Sequence, residues 1–388
     1  MLWAIALIPW LLLALVAPLA LRRRPRLADY PRIEGADAPL VSIVVPARNE
    51  EHNIGACLAT LLASCYPRRE IVVVDDASTD MTGEIARALA ARSPVPVTVI
   101  TGEPLPPGWF GKPWACAQGV RRARGELLLF TDADTRHDDD LLGHAVGALD
   151  AERADLVTAL GRQELCTFWE RLVMPHVLTM IFLRYGGLRR INRPRDPRDV
   201  IANGQFILVR RSVYDAVGGH EAVRGEVVED LRLAQRVAMA GHRVFAAHAE
   251  ELLETRMYRR LRDLVEGWSK NLAAGSRHTV SPWLRPFLPW LIAAWLLVMW
   301  VVPPAVLAAA ALGPLGAAAL RWALGATGAS LFFWAIMNWR SGAPIRYCVL
   351  YPIGALACAG LFVRSALLGE RVTWKGRAYG APQGERRS

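Results

Sequence analysis

The apolar residues of this chain are gathered toward its two ends, and that distribution limits the folds open to it. Residues 1–20, MLWAIALIPWLLLALVAPLA, carry no charge and are long enough to cross ~30 Å of hydrocarbon. The basic stretch LRRRPR follows this run, whereas a cleavable signal peptide carries its positive charge in front, so residues 1–21 read as an uncleaved transmembrane anchor. Three more apolar runs, 287–308, 316–338 and 345–367, are separated by GPLG and RSGAPIR, which makes residues 283–369 a set of transmembrane helices. Pro303 and Pro304 should kink or shorten the first of them. A mean hydropathy of +0.21, with 53% hydrophobic residues, agrees with a membrane protein.

Charge gives these segments a direction. Positive residues behind the first span hold that side in the cytoplasm, so the polar block that follows is expected to be the cytoplasmic part of a multi-pass cell-membrane protein. The basic tail, residues 370–388, leaves the parity open: three spans place it outside, while its charge argues for inside. The net charge is +10, and Lys112, Lys270 and Lys375 are the only lysines. The basic runs lie beside apolar segments, which fits a phospholipid membrane and a phosphorylated substrate better than nucleic acid. The six cysteines form no CxxC pair and read as reduced structural thiols.

Between the membrane blocks the pattern alternates. VSIVVP at 41–46, EIVVVDD at 70–76, PVTVI at 96–100 and ELLLFTD at 126–132 read as buried strands. The segments EEHNIGACLATLLAS, DMTGEIARALAAR and Pro113–Arg122 between them read as helices, the second capped by Ser78 or Thr79. Continuous apolar strands separated by helices imply a parallel sheet covered on both faces, whose ligands bind at the carboxyl ends of the strands.

Those ends are polar or acidic. The first delivers ARNE, the second Asp75 and Asp76, and the fourth Asp132 and Asp134 with a small Ala133 between them. A solvated acidic turn accounts for Asp138 to Asp140, but not for a carboxylate pair where a buried strand stops. Carboxylates converging on one edge repel unless something cationic joins them, and a nucleotide with a divalent metal does so. A few hard oxygen ligands suit Mg2+ or Mn2+ held jointly by Asp132, Asp134 and a diphosphate.

VVPARNEEHNI, VVVDDASTD, TDAD and VEDLRLAQRV, in that order, resemble the family 2 inverting glycosyltransferases of GT-A fold over roughly residues 41–275. PPGWFGKPWACAQGV, FWERLVMPH, ETRMYRRLRDLVEGWSKN and WKGRAY look like the membrane-bound subgroup of hopene-associated and carotenoid-acid glycosyltransferases, with ceramide glucosyltransferases more distant. The resemblance implies an α/β, Rossmann-like GT-A cytoplasmic domain at 41–275 between the anchor and the C-terminal helices. It implies a UDP-sugar donor and a lipid acceptor, with UDP-glucose as default. It further implies that the turn Pro46, Ala47 to Glu50 and the pair Asp75 and Asp76 hold the uridine. Asp132 and Asp134 would bind sugar nucleotide and metal, and Asp230 would be the catalytic base. The RW ending usual in this family is absent, and EGWSKN stands in its place, so Trp268 and Lys270 take over an acceptor or diphosphate role, with Glu229 beside the base.

Residue chemistry bears on the same positions. EDLRLAQRVAMAG puts Asp230 in the first turn of a helix that Gly241 stops, where a carboxylate either stabilises the helix dipole or takes a proton from an acceptor hydroxyl. Lys112 lies in a Gly- and Trp-bordered loop before a helix, a setting that suits a diphosphate, while Trp109 and Trp114 suit packing. The segment 168–187 has an uncharged run only from Leu172 to Leu183, too short to span, and spanning would part Asp132 from Asp230. It is therefore expected to be an amphipathic helix in the membrane interface. A processive polysaccharide synthase and a non-catalytic membrane scaffold are the other readings. The missing RW ending weakens the first, and the intact acidic residues weaken the second.

Overall fold

Runs of Val, Ile and Leu between Gly- and Asp-containing turns form a seven-stranded sheet in the computed structural model, which describes residues 2–18, 24–277, 280, 282–310, 312–313, 316–369, 372–374 and 377–379. The chain divides into a sheet unit, residues 24–164 and 185–257, and a helical unit, residues 1–23, 165–184 and 258–388.

In the sheet unit, β1 (Val41–Ala47), β2 (Arg69–Asp75), β3 (Val97–Thr101) and β4 (Leu127–Phe130) are the four strands legible from the sequence. They pair in parallel in the order β3-β2-β1-β4, and the helices Ile54–Ala63, Thr82–Ala90 and Gly111–Arg122 connect them. Beyond β4 the sheet changes character. With β5 (Thr135–His137), β6 (Leu156–Leu160), β7 (Arg162–Gln163), β8 (Ile207–Arg210), β9 (Val244–His248) and β10 (Leu253–Thr255), the main sheet runs β3-β2-β1-β4-β8-β6-β9. β8 lies antiparallel to both β4 and β6, so the sheet is mixed rather than wholly parallel. β5, β10 and β7 form a small second sheet. Val41, Ile43, Val45, Leu127, Leu129 and Leu208 point into one core, and Val44, Leu128, Phe130 and Val209 into another. This alternation along each strand covers the sheet on both faces.

Two local details differ from the sequence reading. β2 stops at Asp75, leaving Asp76 in the turn. The helix after it starts at Thr82 without help from Ser78 or Thr79; Asp80 Oδ1 accepts the Thr82 N–H at 3.1 Å.

In the helical unit, Leu288–Ala310, Ala317–Arg340 and Ile345–Leu368 are long and apolar enough to cross a membrane. The first is interrupted at Val301, just ahead of Pro303 and Pro304. The N-terminal apolar helix, Ala4–Val16, is shorter than these, and part of the expected 1–21 anchor lies outside the described residues. Its Trp10 ring N–H donates to Met299 O at 2.6 Å. The 168–187 segment is a helix, Phe168–Tyr185, that is not among those able to span. Rather than burying one face, it is buried through its middle from Leu172 to Val177, and His176 stacks on Trp334 at 3.7 Å. Within the basic tail, Val372–Trp374 pairs antiparallel with Arg377–Tyr379, and the other residues of 370–388 lie outside the described residues. All six cysteines are free thiols.

Candidate active site

Parallel pairing brings the carboxyl ends of β1 to β4 to one edge of the sheet unit: Ala47 stands opposite Asp75, Asp75 opposite Thr101, and Val44 opposite Phe130. Because β8 runs the other way, with Ile207 opposite Phe130, its leading residues Asn203 to Phe206 arrive at this same edge.

The turns after β1 and β2 are laced together. Asn49, at φ 51°, donates its N–H to Ser78 Oγ at 3.0 Å, and its side-chain oxygen accepts the Thr79 N–H at 2.9 Å. Glu50 N–H donates to Thr82 Oγ1 at 2.7 Å, and the Arg48 guanidinium donates to the carbonyls of Asp76 at 2.5 Å and Ala77 at 2.8 Å. Asp75 Oδ1 accepts the Ser78 N–H at 3.1 Å. Pro46, Ala47, Glu50, Asp75 and Asp76 thus share one corner of the edge.

The turn after β4 is pinned from below. Thr135 Oγ1 donates to Asp132 O at 2.7 Å, and Thr131 Oγ1 to Gln205 O at 2.8 Å. With both hydroxyl protons used, His137 Nε2, at 3.0 Å from each oxygen, donates to them. Burial pushes the His137 imidazole down to about 3, so it stays neutral in this network. Asp138 and Asp139 are exposed, as a solvated acidic turn should be.

Lys112 occupies the centre. It sits in the first turn of Gly111–Arg122, and its Nζ lies 2.6 Å from Asp132 Oδ1 and 3.0 Å from Glu229 Oε1. About a third of the lysine side chain, 34%, remains open, while only 8% of the Glu229 side chain does. Burial opposes the lysine charge, but Asp132, Glu229 and Asp230 outweigh it and hold the ammonium well above its ordinary range. The Asp132 carboxyl is raised by burial, against the pull of Lys112.

Asp230 is in the first turn of Glu229–Met239, which ends at Gly241 with φ 84°. Its Oδ2 accepts the Gly204 N–H at 2.9 Å and its Oδ1 the Leu231 N–H at 2.7 Å. Burial, then neighbouring Glu229, raise its carboxyl to about 6, while Lys112 and the two N–H groups oppose the rise. A carboxylate poised there is ionised at neutral pH yet basic enough to accept a proton.

The fold therefore brings Lys112, Asp132, Glu229 and Asp230 together beside the β1 and β2 turns. Trp268 and Lys270 belong instead to the helical unit, on Leu261–Arg277. Trp268 is buried, and its ring N–H donates to Met174 Sδ at 3.1 Å. Gly204, Gln205, Thr131, Thr135 and His137 were not singled out by the sequence reading. The Asn-Gly pair in IANGQF, just before an apolar run, is the turn signal that marks Gly204.

No group of three or more His, Cys, Asp or Glu side chains among the described residues is placed to hold a metal ion. Asp132 and Asp134 offer hard oxygens, but too few for a closed cage. That donor set fits a Mg2+ or Mn2+ ion whose remaining ligands come from water and a diphosphate.

Residues 42–218 match the family model described as glycosyl transferase family 2. The chain is 26% identical over 281 residues to the 4,4'-diaponeurosporenoate glycosyltransferase of Staphylococcus haemolyticus (strain JCSC1435), a match covering 71% of this chain and 70% of that protein. It is 27% identical over 265 residues to the 4,4'-diaponeurosporenoate glycosyltransferase of Staphylococcus aureus (strain USA300); this match covers 65% of each chain, just under two thirds of that protein's length. In fold it is similar to the mannosyltransferase PcManGT from Pyrobaculum calidifontis, solved in complex with GDP-Man and Mn2+. The two share 21% identity at a TM-score of 0.56, over 94% of this chain and 97% of that one.

Proposed function

We propose that this chain, whose residues 42–218 match the glycosyl transferase family 2 model and whose fold is similar to that of PcManGT, moves a sugar, with inversion, from a UDP-sugar to a membrane-borne lipid acceptor of isoprenoid type. The observation that carries this reading is the Lys112 ammonium held between Asp132 and Glu229, next to Asp230, at the carboxyl edge of the sheet. An ammonium there can turn to a donor diphosphate, and a carboxylate raised to about 6 can act on an acceptor.

The chain's own groups divide the work. The corner formed by Pro46, Ala47, Glu50, Asp75 and Asp76 receives the nucleoside, and Lys112 faces the diphosphate. The acceptor oxygen attacks the anomeric carbon as the bond from that carbon to the diphosphate oxygen breaks. Where the oxygen belongs to a hydroxyl, its proton passes to Asp230. Asp132 and Asp134 would hold a divalent cation, which when bound supplies positive charge against the leaving diphosphate. The names of the two staphylococcal relatives support an isoprenoid acid as acceptor, the three long apolar helices support a multi-pass membrane protein, and the basic LRRRPR behind the first apolar run supports a site on the cytoplasmic side. Trp268 and Lys270 take an acceptor-side role in this reading.

Membranes from cells with and without the gene, incubated with labelled UDP-glucose and Mn2+, test the proposal through mass spectrometry of extracted lipids. A glycolipid formed only with the gene is the expected result, and where its acceptor is a hydroxyl the product should also be lost in Asp230→Asn. Identical lipids in both membranes would overturn the proposal.

A further inference from the structure

Beneath the Asp132 turn, Thr131 Oγ1, Thr135 Oγ1 and His137 Nε2 form a triangle with sides of 3.0 Å, and all three residues are buried. Few protons are available to hold it together. The Thr131 hydroxyl proton goes to Gln205 O at 2.8 Å and the Thr135 hydroxyl proton to Asp132 O at 2.7 Å. The two oxygens then face each other with lone pairs alone, and the proton that joins them is the one on His137 Nε2. Without that N–H the oxygens repel, and one hydroxyl must leave its carbonyl or move away.

The two carbonyls lead in different directions. Asp132 O belongs to the turn that carries Asp132 and Asp134, whereas Gln205 O belongs to the loop ahead of β8, whose Gly204 N–H holds Asp230 Oδ2 at 2.9 Å. His137 is itself fixed from outside the triangle. Its backbone N–H donates to Thr60 Oγ1 of Ile54–Ala63 at 3.2 Å, and it stands opposite Leu253 in the pairing of β5 with β10. Its ring centre lies 6.0 Å from that of Phe206, which is fully buried. The imidazole is therefore a fixed post between the Asp132 turn and the loop that holds Asp230.

We propose that His137 is a positioning residue for the transfer reaction: its single N–H keeps the Asp132–Asp134 turn and the Gly204–Gln205 loop in one relation, so that a cation and the Asp230 carboxylate meet the same donor. The inference rests on the roles proposed above for Asp132, Asp134 and Asp230. His137 acts through the two threonines and not on the substrates.

The test compares His137→Leu, which stays apolar and loses the N–H, with His137→Gln, whose side-chain amide offers an N–H in place of Nε2. Calorimetric titration of UDP into the full-length, detergent-purified protein at a series of Mn2+ concentrations reads the cation site without turnover. Groups that orient metal ligands from behind change metal affinity by about 10- to 100-fold. His137→Leu should therefore raise the Mn2+ concentration that gives half the gain in UDP affinity by about tenfold or more, and His137→Gln should recover most of this loss. UDP affinity without Mn2+ should stay near wild type in both, which shows that they are folded. Deuterium uptake by the peptide containing Gly204 should quicken in His137→Leu alone, while peptides from β1 and β2 keep the wild-type rate. A wild-type Mn2+ requirement in His137→Leu, or equal losses in the two variants, would overturn the proposal. A wild-type protein whose UDP affinity ignores Mn2+ would remove the cation site itself, and this proposal with it. Should His137→Leu lose metal-free UDP binding, Thr135→Val cuts the same link at the Asp132 carbonyl and decides in its place, an unchanged Mn2+ requirement again overturning the proposal.

Discussion

Gly204 gives its backbone N–H to Asp230 Oδ2 at 2.9 Å, and a Cβ on Gly204 would stand 2.9 Å from that oxygen and 2.8 Å from Lys112 Nζ. The glycine thus sets how closely the ammonium and the carboxylate approach the loop. Gly204→Ala should push both side chains aside. Displacements near 1 Å cost about 10²-fold in rate, so transfer should fall by that order while melting temperature moves little. Unchanged turnover would show that the contact is idle.

Asp230→Asn keeps the volume and loses the proton acceptor. With a hydroxyl acceptor, turnover should drop by about 10²- to 10⁴-fold while UDP affinity survives. A carboxylate acceptor brings no proton to remove, so the same variant should lose far less with it. Comparing the two acceptors in one assay separates proton transfer from positioning.

The raised carboxyl also fixes a pH dependence. Asp230 titrates near 6 when folded and at about 3.9 when unfolded. Its contribution to stability is therefore complete below about pH 3.9 and is lost as pH rises to about 6. Turnover should fall as pH drops through about 6. Asp230→Asn should melt higher than wild type above pH 6, and the gap should close toward pH 4. A gap that widens on acidification would contradict the raised value.

Lys112→Met leaves Asp132 and Glu229 facing each other without their cation. Breaking a fully buried pair costs about 3–5 kcal/mol. With a third of this lysine exposed, about 1–2 kcal/mol is expected after solvent screening. Denaturant unfolding measures this loss, and UDP titration should show weaker binding in the same protein.

Asp134→Ala should abolish the Mn2+ dependence of UDP binding and leave the fold intact. Calorimetric UDP titrations with and without Mn2+ check this, and a wild-type metal effect in the variant would remove Asp134 from the cation site.

The segments on either side of Phe168–Tyr185 build one sheet, since β4 pairs with β8. Cysteines placed at the exposed positions 139 and 221 should therefore label from the same membrane face. Labelling from opposite faces would mean that the helix crosses.

The first half of the sheet was legible because each strand there is a continuous apolar run ending in a charged turn. β8 was not, because ILVR is too short for its antiparallel course to register in a period, and only the Asn-Gly turn ahead of it hints at a reversal. The missing members of the site, Gly204 above all, ride on that reversal. Lys112 could be placed before a helix from sequence, but its two carboxylate partners lie 20 and 117 positions away, at Asp132 and Glu229, and only the sheet order joins them. Trp268 shows the opposite limit: a motif position implies a role, yet the ring N–H faces a methionine sulfur.

β8 also has a consequence for how the chain is made. It fills the slot between β4 and β6, yet it is synthesised only after the excursion of residues 165–184 into the helical unit. While the ribosome is still supplying that excursion, β4 and β6 have no partner between them, and their apolar edges stay open to wrong pairing. Neither unit is a contiguous stretch that a single cut could release. A gene truncated after residue 164 should thus yield aggregating half-sheets rather than a minimal soluble enzyme.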